Sequence, residues 1–119
     1  MADIPEISFS DGNSIPQVGF GVFKIPEAET AAAVTQALEL GYRHLDTASV
    51  YENERGTGAG LRASGLPRGD VFVTTKLART QMGADNARRE FDASLERLGL
   101  DYVDLYLIHW PVPSQYLYV

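Results

Sequence analysis

GYRHLD at residues 41–46, VFVTTK at 71–76 and VDLYLIH at 103–109 decide the fold of this chain. Each is a short apolar run rich in Val, Leu, Phe, Thr and Tyr, residues that suit a pleated, half-buried surface. Each also ends on a residue that can hold or move a proton: Asp46, Lys76 and His109. A helix-patterned segment separates each run from the next, so the strands are expected to lie parallel in one sheet with their C-terminal ends at the same edge. Open α/β sheets and closed α/β barrels both place their chemistry at that edge. Tyr51, five residues after Asp46, adds a fourth group of the same kind.

The flanking sequence completes the pattern. VGFGVF at 18–23 reads as a strand ahead of the other three, and the first fifteen residues read as a β-hairpin, with Ile7 and Phe9 alternating and Asp11-Gly12-Asn13 supplying the turn. Helical spacing of Ala31, Val34 and Leu38, with Pro26 before and Gly41 after, predicts a helix over roughly 27–40. A second is predicted over about 52–64, where Gly56, Gly58 and Gly60 each cost ~1 kcal/mol against Ala. The third carries Ala87, Phe91, Leu95 and Leu98 on one stripe, has Arg88, Glu90, Asp92, Glu96 and Arg97 largely off it, and stops at Gly99. Strands joined by these crossovers form half of a (β/α)8 barrel or a complete small open sheet.

Composition narrows the function classes. A net charge of −6, with Arg88-Arg89 the only adjacent basic pair, argues against a binder of nucleic-acid phosphates. With no cysteine, thiolate metal sites and disulfides are unavailable. His44 lies two residues before Asp46 inside a strand, and no His or Glu cluster has metal-ligand spacing. No apolar run approaches the ~20 residues that span a bilayer, and MADIPEISFSDG lacks a basic start and an apolar stretch, so the expected location is the cytoplasm. GTGAG at 56–60 resembles a dinucleotide fingerprint, but Leu61 occupies the third glycine position and no strand runs directly into it, so it reads as helix packing.

Taken singly, each candidate has an ordinary role: Asp46 in a turn, Tyr51 as a half-buried aromatic, Lys76 in solvent, His109 in the core. Jointly they do not. Adjacent strands lie about 4.8 Å apart, so the ends of three neighbours span roughly 10 Å, close enough for their side chains to converge on one small group. A phenol is a poor proton donor at neutral pH unless a cation stands beside it, and Lys76 is that candidate cation.

GYRHLDTASVYENE, VFVTTKL and LGLDYVDLYLIHWP together resemble the aldo-keto reductases, closest to the bacterial branch that includes 2,5-diketo-D-gluconate reductases, and the resemblance runs from PQVGFGVFKIP onward. It implies a (β/α)8 barrel closed at its bottom by the N-terminal hairpin, and reduction of aldehydes and ketones with NADPH, or NADH, without a metal. It implies that Tyr51 is the general acid, that Lys76 paired with Asp46 eases release of its proton, and that His109 orients the substrate carbonyl. Gly21, Val22, Phe23 and Asp46 would meet the cofactor, Asp46 at its nicotinamide end. Phe23, Tyr51, His109 and Trp110 would line the substrate pocket. Relatives carry Trp and Asn after TKL where this chain has Ala78 and Arg79, so a different pocket shape is expected.

Barrels of this kind take ~250 residues. Residues 1–119 are therefore expected to be the N-terminal part of an NADP-dependent oxidoreductase domain, ending after the fourth barrel strand. The resemblance places the nicotinamide-stacking aromatic, the amide-binding residues and the phosphate clamp in the other half. The full-length form is expected to be a monomer; the 119 residues alone are expected to be inactive and to self-associate through open apolar edges. Two rivals remain at this stage: a non-catalytic homologue that binds only nucleotide or a partner, and a barrel isomerase using Lys76 as a Schiff-base amine.

Overall fold

The computed structural model describes residues 3–114. The chain opens with the expected hairpin: β1 (Glu6–Ser8) pairs antiparallel with β2 (Ser14–Pro16), Ile7 opposite Ile15. Its turn is built by Asp11, whose Oδ1 accepts from the backbone N–H of Asn13 at 2.9 Å, and by Gly12 at φ 90°.

The second sheet holds β3 (Phe20–Gly21), β4 (His44–Asp46), β5 (Phe72–Leu77) and β6 (Leu105–Ile108), side by side in chain order and all parallel. The crossovers are α1 (Glu27–Glu39), α2 (Glu54–Ser64) and α3 (Ala84–Leu98). Strand alternation sorts the side chains into two faces. Leu45 and Val73 point toward the helices, where they pack with Val22, Val34, Leu38, Leu61 and Val71 in the core. On the opposite face, His44 Nε2 meets Thr74 Oγ1 at 2.8 Å and Lys76 meets Asp46. Asp46, Lys76 and His109 thus owe their common location to strand parity and to the parallel direction of the strands.

Several elements are shorter than the sequence suggests: β4 covers only 44–46 of the run at 41–46 and β6 only 105–108 of that at 103–109, while two others are cut short at a turn of the backbone. The strand read over 18–23 pairs only at Phe20–Gly21. Beyond it, Val22 N–H still donates to Asp46 O at 3.1 Å, but Ile25 N–H bonds back to Val22 O and Lys24 takes φ 67°, which turns the chain away. The second helix starts at Glu54: Ser49–Tyr51 form a 3-10 turn and Glu52 at φ 58° separates the two.

The glycines of GTGAG are packing residues, as their placement in the sequence suggested. A Cβ on Gly56 would lie 2.7 Å from Thr30 Cβ, and one on Gly60 2.6 Å from Val34 Cβ, so both allow α2 to approach α1. Gly58 faces the other way, where a Cβ would sit 1.8 Å from the carbonyl oxygen of Leu98 at the end of α3. Ala at 58 gains ~1 kcal/mol of helix propensity. That gain is smaller than the cost of pushing two backbones apart, about 3 kcal/mol. Gly58→Ala is therefore expected to destabilise the protein by about 2 kcal/mol net, read as a lower urea midpoint at unchanged slope; a midpoint equal to or above wild type would contradict this packing.

Arg97, off the apolar stripe of the third helix, has a buried partner. Its Nε donates to Glu54 Oε1 at 2.8 Å. The Glu54 side chain is only 1% exposed and also accepts from Thr75 Oγ1 at 2.7 Å. A carboxylate this deep persists because both partners satisfy it, and it fixes the start of α2 against β5 and α3.

Candidate active site

Lys76, near the end of β5, is the centre of the site. Its Nζ donates to Asp46 Oδ1 at 2.5 Å and to the backbone oxygen of Thr47 at 2.8 Å, and lies 3.5 Å from Tyr51 Oη. Tyr51 closes the 3-10 turn after β4, and its ring is bracketed by Phe23 on one side, centroids 4.9 Å apart, and by His109 at 5.7 Å, edge-on at 83°. His109 is carried there by the end of β6, its N–H bonded to Leu77 O at 3.0 Å. The three residues expected from strand ends and Tyr51 thus meet in one cluster.

Burial holds the His109 imidazole below its ordinary range, and the Lys76 charge pushes in the same direction, partly offset by Asp46. The ring is therefore neutral at neutral pH, with one nitrogen free to donate and the other to accept. Tyr106, a second phenol on β6, has been pushed up to about 12, first by burial, and packs against Phe91 of α3 on the helix side. It takes no part in the cluster.

Among the described residues, three other than glycine adopt positive φ: Lys24 (67°), Glu52 (58°) and Trp110 (59°). Each directly follows a residue of the cluster, namely Phe23, Tyr51 and His109. Such conformations cost on the order of 1 kcal/mol each and persist where surrounding structure enforces them. Here each reverses the chain immediately after a ring has been delivered to the site.

Asn53 was not singled out by the sequence. It is fully buried; its Nδ2 donates to Val22 O at 2.8 Å and to Ile25 O at 3.1 Å, and its Oδ1 accepts from Thr47 Oγ1 at 3.0 Å. It stands at the residue before α2, inside the helix expected over about 52–64, and its side chain does not cap that helix. It ties the loop bearing Phe23 to Thr47, whose carbonyl receives Lys76.

The remaining candidates divide. Gly21 lies opposite Asp46, with nothing within 4 Å of where a Cβ would be, so the surface there is open to a ligand. Phe23 and Trp110 are 61% and 62% exposed beside the cluster. Val22 corrects the expectation of cofactor contact: it is wholly buried in the core, its N–H is bonded to Asp46 and its carbonyl to Asn53. It supports the site from behind.

A cavity of about 380 Å³ lined by Val50, Arg79, His109 and Trp110 adjoins the cluster. A larger one, about 700 Å³, lies at the hairpin end of the strands, lined by polar groups including Glu6, Arg43, Asp70 and Asp104, and contains none of the four residues. Among the described residues no group of His, Asp or Glu is placed to hold a metal ion, and no helix is long and apolar enough to cross a membrane.

Residues 17–118 match the aldo/keto reductase family. The chain belongs to that family. An aldo-keto reductase of Mycolicibacterium smegmatis is 54% identical over 115 residues, which are 97% of this chain and 42% of that protein. The crystal structure of an aldo/keto reductase from Brucella melitensis superposes with a TM-score of 0.91 at 50% identity, covering 95% of this chain and 43% of that one. A Bombyx mori aldo-keto reductase solved in complex with NADP gives a TM-score of 0.88 at 39% identity, covering 98% and 42%. This aldo-keto reductase chain thus spans about 42% of the length of the curated relatives it matches. Its four parallel strands are part of the (β/α)8 barrel of the family, with the N-terminal hairpin as a separate two-stranded sheet; the family is one of oxidoreductases that use NAD(P)H and act on small carbonyl compounds.

Proposed function

We propose that residues 1–119 form the N-terminal part of an oxidoreductase domain that reduces aldehydes or ketones to alcohols with NADPH, or NADH, and in which Tyr51 delivers the proton. The observation that carries this reading is the contact set of Lys76. One ammonium is shared between a carboxylate, a backbone carbonyl and the phenol oxygen of Tyr51, with the neutral edge of His109 alongside.

The residues present fit the nicotinamide end of such a cofactor. The face above Gly21 is open, Asp46 offers a carboxylate beside it, and Phe23 presents an exposed ring. The bound NAD(P)H would supply the hydride. The chain's own residues handle the oxygen and its proton. A carbonyl oxygen placed between Tyr51 Oη and a donating nitrogen of His109 receives two hydrogen bonds that strengthen as negative charge develops on it. Tyr51 then gives up its proton to that oxygen, and the Lys76 ammonium stabilises the phenolate that remains. Asp46 holds the ammonium in place, so that its charge is aimed at Tyr51 rather than at solvent.

The Schiff-base alternative is disfavoured by the same contacts, since Lys76 Nζ is already committed to Asp46 and Thr47. The negative net charge supports a small-molecule substrate over nucleic acid. The test is loss of nicotinamide absorbance from NADPH or NADH in the presence of an aldehyde, with the alcohol product identified. One alcohol per cofactor oxidised is expected; absence of alcohol from the whole protein with both cofactors would remove the reading.

A further inference from the structure

We propose that Arg79 selects carbonyl substrates bearing an oxyanion, a carboxylate or a phosphate, at the end remote from the reacting carbonyl. The inference rests on the reductase reading above and deepens it by naming a substrate class.

Arg79 opens the 3-10 turn Arg79–Gln81 that follows β5, and the turn is closed by Gln81 N–H donating to Ala78 O at 2.9 Å. Its guanidinium carbon lies 5.8 Å from the centre of the Trp110 ring. Both residues line the 380 Å³ cavity with Val50 and His109. Val50 and Trp110 are more than half exposed there, so the cavity is an apolar slot with a single cation at its rim.

That cation is uncommitted. Arg43, Arg62, Arg68, Arg88, Arg89 and Arg97 each donate at least one hydrogen bond. Among the described residues Arg79 donates none and forms no ion pair, a state it shares with Arg55, which lines the neighbouring acidic cavity rather than this slot. Carboxylates are near: Glu27, Glu52, Glu54 and Glu90 line the adjoining cavity with its neighbours Ala78, Thr80 and Gln81. The guanidinium nonetheless lies over Trp110. A guanidinium offers a planar fork of donors that matches carboxylate and phosphate oxygens in pairs. Residues 1–119 carry a net charge of −6 and so do not themselves attract anions, which leaves a local cation such as Arg79 as their means of preferring them.

The direction of the slot follows from the same residues. His109 stands against Tyr51 at one end, Trp110 follows it in sequence, and Arg79 lies over Trp110 at the other. A carbonyl at the Tyr51–His109 end therefore extends along the indole, and a substituent one ring further on reaches the guanidinium.

Trp110 is the single tryptophan of residues 1–119, and the difference in emission between otherwise identical proteins with and without Trp110→Phe isolates its signal, which reports binding without any turnover. Three probes share a ring and an aldehyde: 4-carboxybenzaldehyde, 4-formylphenyl phosphate and methyl 4-formylbenzoate. They are titrated with and without NADP+ against wild type, Arg79→Gln and Arg79→Lys. In wild type at least one anion is expected to bind about tenfold more tightly than the neutral ester. Arg79→Gln is expected to bring that ratio close to one, and Arg79→Lys to retain part of it. The tighter anion of the two tells carboxylate from phosphate. Equal affinity for all three probes in wild type, no emission change with any of them, or the same preference surviving in Arg79→Gln would overturn the proposal. Turnover of the same aldehydes with NADPH is measured separately: its absence counts against the reductase reading and leaves the Arg79 preference to stand or fall on emission alone.

Discussion

Tyr51→Phe is expected to lower carbonyl reduction by the whole protein on the order of a thousandfold while leaving cofactor binding nearly unchanged. The substitution removes one oxygen. The ring contacts that seat residue 51, Phe23 at 4.9 Å and His109 at 5.7 Å, are kept by phenylalanine, so the fold and the neighbouring side chains stay in place. What is lost is the group 3.5 Å from Lys76 Nζ that can give a proton to the substrate oxygen. That proton matters only as charge develops on the oxygen, so kcat falls and KM changes little. Steady-state rates and a titration of cofactor fluorescence separate the two effects. Wild-type turnover in Tyr51→Phe would remove the tyrosine from the mechanism.

Much of the fold was legible because its signals are local. Alternation and β-branched residues marked the strands, helical spacing with Pro26 ahead and Gly41 behind marked α1, and Gly99, at φ 68°, ends α3 as expected. What sequence missed depends on partners far along the chain. The end of β3 is set by the turn through Lys24 and the hydrogen bonds of Asn53. The burial of Glu54 makes sense only once Arg97 and Thr75 arrive from other elements. The glycines at 56, 58 and 60 look like helix weaknesses until α1 and Leu98 are seen pressed against them.

The cluster was readable for a related reason. Parallel strands in chain order bring their ends together whatever the loops do, so Asp46, Lys76 and His109 converge from topology and parity alone. Tyr51 needed the 3-10 turn, and Val22 misled because a residue next to a strand end can face either way. Its burial places it on the helix side. Asn53 was hidden because the helix expected over about 52–64 took it in, whereas the helix starts at Glu54. The positive φ values at Lys24, Glu52 and Trp110 leave no trace in residue type, since none of the three is Gly, Asn or Asp.

Lys76→Met is expected to reduce turnover on the order of a hundred- to thousandfold, because the charge proposed to stabilise a Tyr51 phenolate is gone while the length of the side chain is nearly kept. Activity alone would not tell this from a general disturbance of the site. The titration of His109 does. Its ring is held below the ordinary range by burial first and by the Lys76 charge second, with Asp46 opposing them. Removing the ammonium makes protonation easier, so His109 in Lys76→Met should titrate at higher pH than in wild type, followed by NMR of the imidazole. Asp46→Asn should also lower turnover, because it leaves the ammonium without the carboxylate that aims it. Its effect on the imidazole has the opposite sign: losing the carboxylate leaves the cation unopposed, and His109 should titrate at lower pH. Two variants that both impair the reaction yet move one histidine in opposite directions are the signature of charges acting across a shared site. An unshifted His109 in Lys76→Met would place the ammonium too far away to act on Tyr51 or its neighbours, and the proposed proton transfer would lose its electrostatic support.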